Sequence, residues 1–123
     1  MRALIIDDEE DTREIAKMSL SILGGFEVID ADSGKQGIAL AEANKPDVIL
    51  LDMMMPFMDG PATLEALHDN DATRDIPVIF LTAKAMTSEI EKLRRMGARG
   101  VLTKPFDPTT LALQVQEILK GSN

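Results

Sequence analysis

Asp47-Val48-Ile49-Leu50-Leu51-Asp52-Met53-Met54-Met55-Pro56-Phe57-Met58-Asp59-Gly60 is the stretch on which the reading of the fold turns. Val48 to Leu51 are four consecutive large apolar residues without polar alternation. They predict a strand buried on both faces, as in a parallel sheet covered by helices. Asp52 stands where the run ends, and Pro56 and Gly60 mark the loop that follows. In open parallel sheets, ligands and chemistry sit in the crevice beyond the carboxyl ends of the strands. Position therefore gives Asp52 two readings: a turn residue, a role Asp often fills, or a reactive group.

Toward the N-terminus, Ala3-Leu4-Ile5-Ile6 is a second short apolar run that stops abruptly in acid, at Asp7-Asp8-Glu9-Glu10. From Asp11, the residues Ile15, Met18 and Ile22 recur at helical spacing, predicting an amphipathic helix that Gly24-Gly25 ends. Phe26 to Ala31 reads as a strand. Ser33 and Gln36 have capping-box spacing ahead of a helix carrying Ile38, Ala41 and Glu42, which Pro46 closes.

On the C-terminal side, Pro61 suits the first turn of a helix whose buried stripe is Leu64 and Leu67. Asp69 to Asp75 is a polar loop, and Pro77 to Leu81 is a buried strand ending at Thr82-Ala83-Lys84. Ser88 and Glu91 again have capping-box spacing, with Ile90 and Leu93 facing inward and Gly97 as the stop. Gly100 to Thr103 makes a fifth strand, ending at Lys104-Pro105. Asp107 as N-cap, with Pro108 at the first helical position, opens a last helix with a core stripe of Leu111, Val115 and Ile118.

Five βα units thus fill the 123 residues and predict one domain, 1–123, with no second domain expected and no linker or repeat. Alternation of this kind predicts an α/β fold: a five-stranded parallel sheet with helices on both faces. At this size the expected architecture is a flavodoxin-like, doubly wound (βα)5 domain of strand order 2-1-3-4-5. That order makes the first and third strands neighbours at the switch point and brings Asp7, Asp8 and Asp52 into one crevice.

Composition narrows the chemistry. Charged residues at 28% and hydrophobic residues at 45% are ordinary for a globular chain and argue against disorder. A net charge of -8 with no Trp or Tyr argues against partners that are nucleic acids or anionic membranes, while clustered carboxylates attract divalent cations. The absence of Cys excludes disulfides, thiolate catalysis and zinc fingers. Apolar runs of only strand length and no leader-like stretch make cytoplasmic the default location.

Three carboxylates at adjoining strand ends repel one another, and a hard cation relieves that repulsion. Mg²⁺, which takes oxygen ligands from one or two carboxylates plus phosphate and water, is the expected occupant. The next strand ends add the Thr82 hydroxyl as a donor and the Lys104 ammonium as a counter-charge for a phosphoryl group, and Ala83 leaves room beside them. A carboxylate nucleophile, a metal and a lysine around one point make phosphoryl transfer to Asp52 the economical reading.

The sequence resembles the response-regulator receiver domains of two-component signalling across nearly its whole length. The resemblance rests on Asp7-Asp8, Leu50-Leu51-Asp52 with Met55-Pro56 and Asp59-Gly60, Thr82-Ala83, and Lys104-Pro105-Phe106. It implies that Asp52 is the phosphoacceptor, taking its phosphoryl group from a phosphohistidine on a sensor histidine kinase or histidine phosphotransfer protein. Asp7 or Asp8, Asp52 and the backbone carbonyl of Met54 would hold Mg²⁺, and Thr82 and Lys104 would bind phosphoryl oxygens. The resemblance also implies a cis Lys104-Pro105 bond and a signalling role without enzymatic turnover. Receivers commonly carry Tyr, Phe or His three residues before the lysine as a rotameric switch, and this chain has Val101. The expected conformational output is correspondingly muted, read by a separate protein at the fourth and fifth helices or replaced by onward phosphotransfer.

Other assignments weigh less. A flavin mononucleotide module would need a Ser/Thr/Gly-rich phosphate loop where Asp7 to Glu10 would repel the phosphate. An aspartyl-nucleophile phosphatase of the haloacid-dehalogenase kind would place an acid at position 54, which is Met54. A scaffold with a vestigial pocket is the third alternative. Glu9 and Glu10 suit the helix macrodipole better than metal ligation, and Met53, Met54, Met55 and Met58 suit adaptable packing. His68 is assigned a solvated position without catalytic role, and Lys84 a solvated or partner-facing one.

Overall fold

The computed structural model describes residues 1–83 and 86–121. Strands β1 (Arg2–Ile6), β2 (Glu27–Ala31), β3 (Val48–Asp52), β4 (Val78–Thr82) and β5 (Gly100–Thr103) alternate with helices α1 (Glu10–Gly24), α2 (Gly34–Asn44), α3 (Gly60–His68), α4 (Thr87–Arg95) and α5 (Leu111–Lys120). All strand pairs are parallel, in the order β2-β1-β3-β4-β5. The expected flavodoxin-like architecture is therefore the observed one.

Strand side chains alternate between faces, and each of the three central strands supplies two cores. Ala3, Ile5, Val48, Leu50, Ile79 and Leu81 pack with Ala16 and Leu20 of α1 and Leu111 and Val115 of α5. Leu4, Ile6, Ile49, Leu51, Val78 and Phe80 pack on the other face with Ala41 of α2, Leu64 and Leu67 of α3, and Leu93 of α4. This double burial explains why β3 carries no polar alternation.

Helix ends follow local chemistry where a polar group is free to supply it. Gly25 closes α1 with φ of 68°, a left-handed conformation that glycine adopts without steric cost. The Ser33 hydroxyl accepts from the Gln36 amide at 3.2 Å, and Asp59 caps α3 by accepting from the Ala62 amide at 2.9 Å.

Four readings need correction. Ile15, Met18 and Ile22 do not face the core: they are 45%, 59% and 72% exposed, and α1 buries Ala16, Ser19 and Leu20 instead. Their spacing defined a face but could not say whether this protein or another covers it. Ser88 lies inside the first turn of α4, whose N-cap is Met86, so the capping-box pair is not used. The Asp107 carboxylate accepts from the amide and hydroxyl of Thr109 at 2.9 and 2.7 Å, closing a turn, and α5 begins only at Leu111 with Thr110 as N-cap. His68 is half-buried, its imidazole lying against Gly97, where φ is 108°. Lys84 lies outside the described residues.

Gly60 matters for the placement of Asp52. A Cβ built on it would stand 2.6 Å from the Asp52 carbonyl oxygen and 2.8 Å from the Phe80 ring. The start of α3 is thus pressed against the backbone of the β3 terminus, an approach only glycine permits. Gly60→Ala is expected to cost roughly 1–3 kcal/mol as an overpacked contact with little room to give. A lowered urea midpoint at unchanged m-value would register it; an unshifted midpoint would mean the contact relaxes freely.

Candidate functional site

The crevice lies where four strands end. Ile6 pairs with Leu51 and Asp52 with Leu81, so the residue after β1 and the last residue of β3 come out level. Thr82 pairs with Thr103, which sets Lys104 one residue beyond. Carboxylate oxygens of Asp7, Asp8 and Asp52 lie within 4.8 Å of one another. Asp7 and Asp52 are buried and Asp8 is exposed, so the cluster is open on the Asp8 side. An all-oxygen donor set suits a hard dication that retains water, which fits Mg²⁺ and disfavours softer metals.

Lys104 reaches across this cluster. Its ammonium lies 3.1 Å from Asp7 Oδ2, 3.2 Å from Glu9 Oε1 and 3.3 Å from Asp52 Oδ1, with the Lys104 side chain 16% exposed. Burial alone would lower its pKa; the hydrogen bond and charge of Asp7, the Asp52 charge and the Glu9 hydrogen bond outweigh that and hold it above the usual lysine range. Asp52 moves the other way from an ordinary salt-bridged acid. Burial first, and then the Asp7 charge, push it up to about 6, against the opposing pull of Lys104 and of the Met54 amide 3.4 Å from its Oδ1. The Lys104-Pro105 bond is cis, and the Lys104 amide donates to the Thr82 carbonyl at 2.7 Å. Thr82 is buried at the end of β4 and Ala83 beside it is exposed.

The family model for the response regulator receiver domain matches residues 3–116. The chain belongs to the receiver-domain family. Protein PilH of Pseudomonas aeruginosa is 37% identical over 121 residues, covering 98% of each chain. The phosphate regulon transcriptional regulatory protein PhoB of the same organism is 36% identical over 95% of this chain, which spans only 51% of PhoB. Chemotaxis protein CheY4 of Vibrio cholerae superposes with a TM-score of 0.88 at 30% identity, covering 95% of this chain and 97% of that one. Receiver domains bind Mg²⁺ in general and interact with histidine kinases.

Within this receiver domain, Asp7, Asp8, Asp52 and Lys104 come together as their strand-end positions suggested. Three features had no sequence signal strong enough to find. Glu9 pairs with Lys104, a contact hidden by a separation of 95 positions in the sequence. Phe57, fully exposed, has φ of 69° inside a γ-turn closed by the Met58 amide on the Pro56 carbonyl at 2.7 Å. Such backbone is uncommon for a bulky residue and often lies near function. Arg13 donates to the Asp7 carbonyl, six residues back along a helix start. Of the methionines, Met55 is buried and Met54 is 79% exposed, so packing accounts for the first and not the second.

Proposed function

We propose that this receiver domain takes a phosphoryl group from a phosphohistidine onto Asp52 in a Mg²⁺-dependent reaction. The observation that carries this reading is the convergence of Lys104 on Asp52 and Asp7 beside the open Asp8 carboxylate. An Asp52 oxygen attacks phosphorus, an O–P bond forms as the P–N bond breaks, and the imidazole departs with the electron pair and takes up a proton. Lys104 and the Thr82 hydroxyl hold the phosphoryl oxygens; positioning and charge stabilisation of this kind supply most of the catalysis in phosphoryl transfer. Mg²⁺, held by Asp7, Asp8, Asp52 and the Met54 carbonyl, supplies charge neutralisation when bound.

The donor is a sensor histidine kinase or a histidine phosphotransfer protein, partners that would meet this domain in the cytoplasm. The exposed stripe Ile15, Met18 and Ile22 supports helical docking beside the crevice. An apolar groove of about 310 Å³ runs between that stripe and Pro108, and a second of about 340 Å³ leads from Ile15 past Phe106 to Lys104. Val101, half-buried on β5, has no polar tip, so output is small or takes the form of onward transfer. Incubation with acetyl phosphate and Mg²⁺ should add one phosphoryl group by intact mass, and chelation with EDTA should prevent it. Equal labelling with and without the cation would refute the Mg²⁺ requirement, and no labelling by any phosphodonor would favour a vestigial pocket.

A further inference from the structure

The turn that carries Asp7 and Asp8 into the crevice has no side-chain cap: Glu9 stands at the N-cap of α1 and makes no capping hydrogen bond. The Asp7 amide donates to the Ala31 carbonyl of β2 at 3.1 Å and Lys104 meets Asp7 Oδ2, and two further bonds hold the rest of the turn. The Glu9 amide donates to Asp7 Oδ1 at 2.9 Å, and Arg13 Nη1 donates to the Asp7 carbonyl oxygen at 2.9 Å. The same guanidinium donates from Nε to Asp30 Oδ2 at 3.0 Å, near the carboxyl end of β2, and Asp30 Oδ1 also meets Lys17 at 3.4 Å. The Arg13 side chain is only 16% exposed. A guanidinium is rigid and planar, so fixing Nε on Asp30 also aims Nη1 at the carbonyl.

We propose that Arg13 is a positioning residue for the cation site: the Asp7 amide is already fixed on Ala31 of β2, and Arg13 fixes the other side of the residue by holding the Asp7 carbonyl against Asp30, so that the turn presents Asp7 and Asp8 to a dication. Asp30 serves in the same device by cancelling a positive charge that would otherwise oppose the cation a few bonds away. The inference rests on reading the three acids as a dication site. A surface ion pair alone would contribute little; the bond to the carbonyl of a ligand-bearing residue is what gives Arg13 leverage, as outer partners of metal ligands do.

Charge and positioning predict opposite signs, which makes the test sharp. Calorimetric titration of Mg²⁺ into the phosphoryl-free protein compares wild type with Arg13→Met, which keeps the aliphatic stem and removes the charge and donors. If Arg13 acted only through charge, removing it and freeing Asp30 would tighten Mg²⁺ binding. Positioning predicts the reverse, a Kd raised about tenfold, with partial recovery in Arg13→Lys. Faster hydrogen exchange at the Glu9 amide in cation-free Arg13→Met would support the same tether. Asp30→Asn, which keeps an acceptor for Nε but unmasks the charge, should weaken binding at low ionic strength and recover at high salt. An Arg13→Met Kd equal to or below that of wild type overturns the inference, whatever happens to the melting temperature. Absence of Mg²⁺ binding to wild type would instead overturn the reading of the acid cluster and Arg13's role with it.

Discussion

Asp52→Ala is expected to abolish labelling by acetyl phosphate, leaving the intact mass unchanged under conditions where wild type gains a phosphoryl group. Asp7 and Asp8 are neighbouring carboxylates, yet neither should substitute as acceptor if the nucleophile is the acid at the end of β3. Full labelling of the variant at wild-type stoichiometry would show the assignment to be wrong. Asp52→Asn carries a second expectation, about stability. Asp52 is held up at about 6, above its ordinary 3.8, so burial and Asp7 together outweigh the attraction of Lys104. Between those two values the folded state binds more protons than the unfolded state, so this group's contribution to stability is present at low pH and is lost as pH rises through about 6. Cation-free Asp52→Asn should therefore exceed wild type in stability at pH 7, and the difference should shrink toward pH 4. Mg²⁺ should raise the wild-type melting temperature by mass action and affect the variant less. Urea titrations at the two pH values check the sign; a variant less stable than wild type at pH 7 would mean that Lys104 dominates after all.

Lys104→Ala should have the second-largest effect. The ammonium is the cation common to Asp7, Glu9 and Asp52. Its removal leaves two buried carboxylates facing each other. Losing one partner of a buried ion pair costs roughly 3–5 kcal/mol. The open side of the cluster at Asp8 argues for the lower end, about 3 kcal/mol. Mg²⁺ should restore a large part of that loss, because it supplies positive charge to the same oxygens. Phosphoryl transfer should stay impaired at saturating Mg²⁺, since the transferred group still lacks its fixed counter-charge. Cation-free denaturation and labelling rates across a Mg²⁺ series separate the two effects. Labelling restored fully by Mg²⁺ would reduce Lys104 to a structural counter-ion.

The sheet was legible because burial on both faces leaves a plain mark: Val48 to Leu51 and Val78 to Leu81 are unbroken apolar runs, and in the structure both faces of these strands are covered. Once the strand order followed, the convergence of Asp7, Asp8 and Asp52 was a matter of geometry. What stayed hidden depends on tertiary context. The apolar stripe of α1 has the same spacing whether it meets the sheet or a partner, so Ile15, Met18 and Ile22 were readable as a face but not as an exposed one. Ser88 and Glu91 have cap spacing, yet α4 starts one residue before Ser88. The bonds of Glu9 and Arg13 in the crevice join residues by side-chain reach, which no periodicity reports.

The most direct test of the account is to find where the phosphoryl group resides. Reduction of the freshly labelled protein with borohydride converts an aspartyl phosphate to homoserine, which peptide sequencing by mass spectrometry locates. The account predicts homoserine at position 52 alone, only when Mg²⁺ was present during labelling. Homoserine at position 7 or 8, or a phosphoryl group on Thr82 or His68 with position 52 unmodified, would contradict it.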